Sequence, residues 1–401
     1  MDIKPLKIGK FTLELPIIQG GMGIGISRSN LAAAVSNSGG LGVLSGAQIG
    51  HDEPDFETNT LQANLRAIKK HIQKAKAVAK GKMIGINLMV AMEHYEEHVE
   101  AAVEAGVDII ISGAGLPLTL PAHLKGSQTM FAPIVSSGRA AKALLKNYDR
   151  KYQVAPDMIV IEGPKAGGHL GFKAEDIEND TIDLDQIVRD VIEVSVPYAE
   201  KYNKEIPIIV AGGVFDGADI AHYLELGASG VQMATRFIAT EECDAHPNFK
   251  QAIIDAKEED IILVKSPVGM PGRAIRNPFS AKYGIQREKI KKCYNCVKPC
   301  NPATTVYCIS KALLHAVRGE VDDALLFCGA NAYRVNELTT VDELKRANNL
   351  NSNILTIGQE LIIPNTDRTS ENESDSTEST YQVKKGDSLW LIAKKYNTTV
   401  T

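Results

Sequence analysis

The sequence predicts an α/β chain whose first part closes into a (β/α)₈ TIM barrel, followed by a helical cap segment and a C-terminal tail of a different kind. Three observations carry this. Eight short apolar runs of β type recur, amphipathic helical stretches such as Asn64–Ala79 and His94–Ala105 lie between them, and glycine and polar residues gather at the C-terminal end of nearly every run.

The runs follow one another as Pro16–Gly21 (PIIQGG), Leu41–Gly46 (LGVLSG), Met83–Val90 (MIGINLMV) and Asp108–Gly115 (DIIISGAG). Phe131–Ser137 (FAPIVSS), Asp157–Gly163 (DMIVIEG), Ile206–Gly213 (IPIIVAGG) and Gly230–Phe237 (GVQMATRF) complete the set. They are nearly continuous in apolar residues, as expected of parallel strands covered on both faces. An open doubly wound sheet is the alternative, but eight units in series without a strong break favour closure. Active sites of such barrels form where the strands end, which is where the glycines and polar groups stand.

Composition narrows the partners. A net charge of −5, a pI near 6.0 and the lack of a basic block argue against nucleic acid. The N-terminal stretch has no signal-peptide core, and no apolar run reaches the roughly 20 residues that span a bilayer. A cytoplasmic enzyme acting on a small molecule, with no nucleic-acid or membrane partner, is therefore expected.

Two glycine-rich segments point to a phosphate-bearing cofactor. Gly212-Gly213 ends the seventh run before a helix, and Gln232-Met233-Ala234-Thr235 ends the eighth. Adjacent glycines let backbone N–H groups approach a phosphate, and loops seven and eight are the usual phosphate site of a barrel. After the first run stands Gly20-Gly21-Met22-Gly23, which lacks the spacing of a dinucleotide fingerprint. Asn87 is a lone amide in the third run and needs a partner, which a cofactor edge would supply. After the sixth run, Glu162-Gly163-Pro164-Lys165-Ala166-Gly167-Gly168-His169 sets an imidazole among glycines, suited to proton transfer beside an electron-withdrawing group. His51, His71, His94, His98 and His222 have no such context and read as ordinary surface or structural residues.

Taken together, PIIQGGMGIG, GINLMV, IEGPKAGGHLGF, IVAGGVFDG and GVQMATRF resemble the FMN-dependent nitronate monooxygenase (2-nitropropane dioxygenase-like) family. Flavin-type enoyl-acyl-carrier-protein reductases share most of these motifs. The resemblance runs from about Pro5 to Arg334 and implies FMN as cofactor. It implies that Gly21, Met22 and Gly23 lie along the isoalloxazine and that Asn87 bonds the ring. Glu162 and Gly167 would line the FMN, Gly212 and Gly213 would hold its phosphate, and Gln232, Met233, Ala234 and Thr235 would close that site. His169 would be the catalytic base or substrate-binding histidine. Ala234 departs from the glycine common in the family, placing a methyl near the phosphate.

The implied reaction is oxidation of alkyl nitronates with O2. The alternative within the fold is NAD(P)H-dependent reduction of an enoyl thioester, and the shared motifs do not separate the two.

Cys293, Cys296, Cys300 and Cys308 form a second signal, C-x₂-C-x₃-C-x₇-C. Four thiolates suit an iron–sulfur cluster or tetrahedral zinc, and the spacing resembles that of iron–sulfur flavin reductases related to old yellow enzyme, apart from the last gap. Reduced structural thiols in the cap are the alternative.

The expected units are a barrel (1–245), a cap with the cysteines (246–336), a partial LysM-like segment (337–364), a disordered linker (365–380) and a second partial LysM-like segment (381–401). The two LysM-like halves stand in reversed order, so one module would form only by permutation. A genuine module would make peptidoglycan a partner, giving a third and different reading: a cell-wall glycan-binding protein.

Overall fold

The computed structural model describes residues 4–283, 285–347, 360–363 and 379–382. Strands β1 (Leu6–Ile8) and β2 (Phe11–Leu13) form a hairpin. Then come β3 (Ile17–Gln19), β4 (Leu41–Ser45), β5 (Ile84–Met89), β6 (Ile109–Gly113), β7 (Met130–Val135) and β8 (Ile159–Glu162). The two-residue β9 (Gly168–His169) precedes β10 (Ile208–Ala211) and β11 (Gly230–Met233). All eight runs become parallel strands of a closed barrel in the order β10-β11-β3-β4-β5-β6-β7-β8.

The nearly unbroken apolar runs split by alternation into two layers. Val43, Ile109, Ile111, Val160 and Ile209 point into the barrel, while their neighbours Leu44, Ile110, Ile159, Ile161 and Val210 pack against the surrounding helices. The helix Thr60–Val78 shows the complementary pattern, burying Ala63, Asn64, Ala67, Ile68, His71, Ile72 and Ala75 along one face. Complete burial of side chains such as Ile68 and Ile72 contributes about 1.5–3 kcal/mol each. The β1–β2 hairpin sends Leu6, Ile8 and Leu13 into the inner cluster beside Met83 and Met158, at the start of the strands. It plugs the N-terminal end of the barrel and leaves the opposite mouth for chemistry.

The cap differs from the expected helical segment. Its Ile-Ile-Leu-Val run becomes β12 (Ile261–Lys265), which turns back as β13 (Pro271–Ile275) and pairs antiparallel with it. β-Branched residues on either side of a Gly/Pro-rich turn favour that hairpin over a helix. β13 also pairs with β9, so the short strand carrying His169 is the edge of a three-stranded sheet.

The helix Val341–Ala347, read from sequence as the start of a LysM-like half, packs onto the barrel instead. Val341 and Leu344 are buried in the cluster that holds Phe249, Ile253 and Val335, and Thr339 bridges Thr240. Farther on, β14 (Glu360–Ile363) and β15 (Ser379–Gln382) pair antiparallel, linking the two reversed halves by their strands. The expected linker 365–380 otherwise lies outside the described residues, as does nearly all of the second half.

Candidate active site at the barrel mouth

The loop after β3 is held by the polar residue that ends the strand. Gln19 is fully buried, accepts from the Val43 amide at 3.1 Å and donates to Ser27 Oγ at 3.2 Å. Ser27 Oγ in turn accepts from the Met22 amide at 2.6 Å. Gly21 lies so close to the sheet that a Cβ there would stand 2.6 Å from Asn87 Cβ and 2.8 Å from Leu44 O. Only glycine lets this loop lie flat against β4 and β5, beside Asn87.

Across the mouth, Gly212 and Gly213 have φ of +87° and +126°, left-handed backbone that strains any other residue. The loop from Gly163 to Gly168 is fixed by a residue that the sequence did not mark. Buried Arg273, on β13, donates to Pro164 O at 2.8 Å and to Ala166 O at 2.6 Å. Gly167 meets the backbone of Cys328 and Gly329 so closely that a Cβ would sit 2.5 Å from Cys328 C. Ala234 takes φ −131°, outside the left-handed region that calls for glycine.

These loops enclose a cleft of about 290 Å³. Gly21, Met22, Gly23, Asn87, Glu162, Gly167, His169, Gly212, Gly213, Gln232, Met233, Ala234 and Thr235 all line it. Also lining it are Lys165, Arg236, Phe327, Gly329 and Asn331, the last three from the far end of the cap and invisible to reasoning along barrel strands. Asn331 Nδ2 donates to Gly213 O at 2.6 Å, and the Gly329 amide donates to Thr235 Oγ1 at 2.8 Å, so the cap braces both the Gly212–Gly213 turn and the turn Gln232–Thr235.

His169 pairs through Nε2 with Ser266 Oγ at 2.6 Å and meets the Phe327 ring edge-on at 5.0 Å. Burial lowers its pKa to about 4, so the imidazole is neutral near pH 7. Glu162, at the end of β8, moves the other way. Burial raises its pKa to about 7, although the Gly171 amide donates to Oε1 at 3.0 Å. A second cavity of about 350 Å³ meets the cleft, and the two share Ala47, Met89, Ala114, His169 and Leu313 as walls. His98 lines this second cavity, a position its plain sequence context did not signal.

The four cysteines do not assemble a metal site. Among the described residues no group of three or more His, Cys, Asp or Glu is placed to hold a metal ion. Cys293 is exposed and bonds within its own turn to Asn295, and Cys308 begins the helix Ile309–Val317. Burial pushes the Cys296 thiol up to about 11 and raises Cys300 and Cys308 as well, and neighbouring cysteines of the same segment raise each of them further. The expectation of iron–sulfur or zinc on Cys293, Cys296, Cys300 and Cys308 is corrected accordingly.

The residues present fit a flavin mononucleotide. Two left-handed glycines bring backbone N–H groups to the cleft where a phosphate would sit, with Lys165 and Arg236 nearby for its charge. Gln232 Oε1 is buried in the cleft wall without a hydrogen-bond partner in the protein, an acceptor that a ligand N–H would satisfy.

Fold and rim together define a barrel enzyme that takes a phosphate-bearing cofactor at the C-terminal ends of its strands. The nitronate monooxygenase family profile matches residues 4–347, and the chain belongs to that family; it is a flavoprotein oxidoreductase. A probable nitronate monooxygenase of Staphylococcus saprophyticus is 28% identical over 313 residues, covering 72% of this chain and 83% of the relative. A second, from Staphylococcus aureus strain Newman, is 28% identical over 291 residues, covering 67% and 77%. Among solved structures, FabK from Thermotoga maritima is 26% identical with a TM-score of 0.64, covering 83% of this chain and 91% of that one. Nitroalkane oxidase from Streptomyces ansochromogenes, 22% identical with a TM-score of 0.63 over 83% and 94%, shares the fold. A LysM domain profile matches residues 381–401. Among the described residues no helix is long and apolar enough to cross a membrane.

Proposed function

We propose that this chain oxidises alkyl nitronates with molecular oxygen, using FMN held at the barrel mouth. The observation that supports this best is a neutral histidine on the wall between the cofactor cleft and a second cavity large enough for substrate. In this reading Gly212, Gly213 and the turn Gln232–Thr235 hold the phosphate, Gly21–Gly23 and Asn87 face the ring system, and Glu162 and Gly167 close the cleft. When bound, the flavin supplies the electron acceptor that no side chain provides.

The chain's own part is to bind and orient the anion. A histidine whose pKa is lowered to about 4 is a weak base at pH 7 but a good neutral N–H donor. His169, steadied by Ser266 and Phe327, therefore hydrogen-bonds a nitronate oxygen more readily than it removes a proton from a neutral nitroalkane. Glu162 adds a pH dependence. Below about pH 7 its carboxyl is protonated and neutral, and above that it becomes a carboxylate in the same cleft as an anionic substrate. We expect kcat/KM for a preformed nitronate to fall as pH rises through about 7, by about tenfold. Glu162→Gln is expected to flatten the profile between pH 6 and 8; an unchanged inflection would assign it to another group.

In this reading the chain comprises a barrel (1–245), a cap (246–336) and a LysM-like tail (337–364 and 381–401) with a linker (365–380) between its halves, and the helix Val341–Ala347 packs back on the barrel and cap. The likeness to FabK favours a second reading, reduction of an enoyl thioester by NAD(P)H on the same flavin. The profile match at 381–401 supports a third, peptidoglycan binding by the tail. An anaerobic absorbance spectrum separates the first two. Bleaching of the flavin band by propyl-2-nitronate but not by NADH is expected, and bleaching by NADH alone would replace the monooxygenase with the reductase.

A further inference from the structure

The second cavity lies beside the cofactor cleft and is separated from it by the shared wall at Ala47, Met89, Ala114, His169 and Leu313. Its roof is the cysteine-bearing segment of the cap, and that segment is tied to the loop after β5 by backbone. The Glu93 amide donates to Cys296 O at 3.2 Å, the Lys298 amide donates to Ala91 O at 2.8 Å, and Met92 bridges Val297. Lys292 Nζ also donates to Glu57 O at 2.7 Å. The cysteine segment is thus a fixed cover, and Cys293 and Cys296 are among the residues beneath which the cavity lies.

The walls under this cover are mixed: Met92, Val268, Met270, Val297, Ile309 and Leu313 supply apolar surface, while Gln48, Asn59, Asn64, Glu57, Glu93 and Lys292 supply polar and charged groups. The volume of about 350 Å³ is more than ten times the roughly 30 Å³ a water molecule occupies in the liquid. A nitroalkane of three carbons, reacting at His169 in the cleft, would leave it unused.

One polar group in this lining lacks a partner. His98 is 3% exposed, and its Nδ1 lies 2.7 Å from His94 O. A carbonyl only accepts, so Nδ1 carries the proton and the neutral ring has its lone pair on Nε2. That Nε2 is buried without a hydrogen-bond partner in the protein. A buried acceptor of this kind calls for a donor from a ligand.

We infer that the second cavity receives the tail of an elongated substrate, whose methylenes lie along the apolar part of the wall and which carries a hydroxyl or amide N–H that donates to His98 Nε2. The inference rests on the proposal that chemistry occurs at His169, but not on which oxidation or reduction takes place there. The reactive end lies at the flavin, the chain passes the wall formed by Met89, Ala114 and Leu313, and the cysteine segment covers it.

Unreactive straight-chain carboxylates test this, since their planar two-oxygen anion resembles a nitronate. The flavin-loaded full chain is titrated with the series from propanoate to decanoate and with the matching ω-hydroxy acids, binding being read from the perturbed flavin absorbance. Kd is expected to fall about fourfold per added methylene until the cavity is filled. At one chain length the ω-hydroxy acid should bind about tenfold more tightly than the plain acid, and His98→Phe should reverse that preference. Val297→Trp, which lowers the roof, should end the length dependence at a shorter chain. A Kd independent of length in the unmodified protein overturns the inference, and an ω-hydroxyl that never helps removes His98 from it. Nitronate turnover is followed in parallel. Length-dependent binding with no turnover of any nitronate keeps the tail cavity and ends the monooxygenase reading; turnover of propyl-2-nitronate with flat binding does the reverse.

Discussion

Replacement of His169 by alanine leaves the flavin in place and lowers kcat/KM for alkyl nitronates by about a hundredfold to ten-thousandfold. The two halves of this expectation come from different parts of the mouth. The phosphate turns at Gly212–Gly213 and Gln232–Thr235 are braced by Asn331 and Gly329, whereas the histidine is held by Ser266, so cofactor retention should survive. The reacting end of the substrate, by contrast, loses the one imidazole shared by the cleft and the second cavity. Because that imidazole is neutral, its loss should fall on preformed nitronate as well as on nitroalkane. A catalytic base would be needed by the nitroalkane alone. Steady-state kinetics on both substrate forms, with the flavin-to-protein absorbance ratio as control, make the comparison. Unchanged turnover with flavin fully bound removes His169 from the mechanism, and loss of flavin shows that the residue is structural.

The barrel was legible because each strand is buried on both faces. Runs such as Ile109-Ile110-Ile111 need apolar residues inside and outside alike, and that continuity is a parallel-sheet signal in one dimension. The glycines at the rim were legible for a related reason, since left-handed backbone at Gly212 and Gly213 leaves few other residues possible. What escaped is everything brought to the mouth over long separations. Arg273 reaches back to Pro164 and Ala166, and Phe327, Gly329 and Asn331 return from the far end of the cap, with no local pattern to mark them. His98 looks like any polar residue on a helix, and its role depends on a roof supplied some two hundred residues later in the chain. The cysteine spacing misled for the opposite reason. Short gaps bring the thiols near enough to raise one another's pKa, but among the described residues no group is placed to hold a metal, and the segment instead forms a cover tied edge to edge with the loop after β5.

The phosphate site is open to an equally direct perturbation. Gly213→Ala is expected to weaken flavin binding by about a hundredfold while the barrel stays folded. At φ +126° an alanine is strained by about 1–3 kcal/mol, and its methyl would stand 3.1 Å from Lys165 Cβ, on the side chain that lines the same cleft. That neighbour is a flexible side chain and yields, so the damage should concentrate on the ligand. Gly212 would be a poorer choice, because a Cβ there meets Gly163 O at 2.5 Å and would push two barrel strands apart. Ala234→Gly supplies the opposite control. Its backbone at φ −131° needs no glycine, so restoring the residue common in the family should leave flavin affinity within about twofold. Flavin fluorescence on dilution gives both dissociation constants, and a denaturation curve reports the fold. Tight flavin binding by a folded Gly213→Ala protein would mean that the phosphate does not rest on the turn after β10. A large gain from Ala234→Gly would mean instead that the methyl crowds the phosphate.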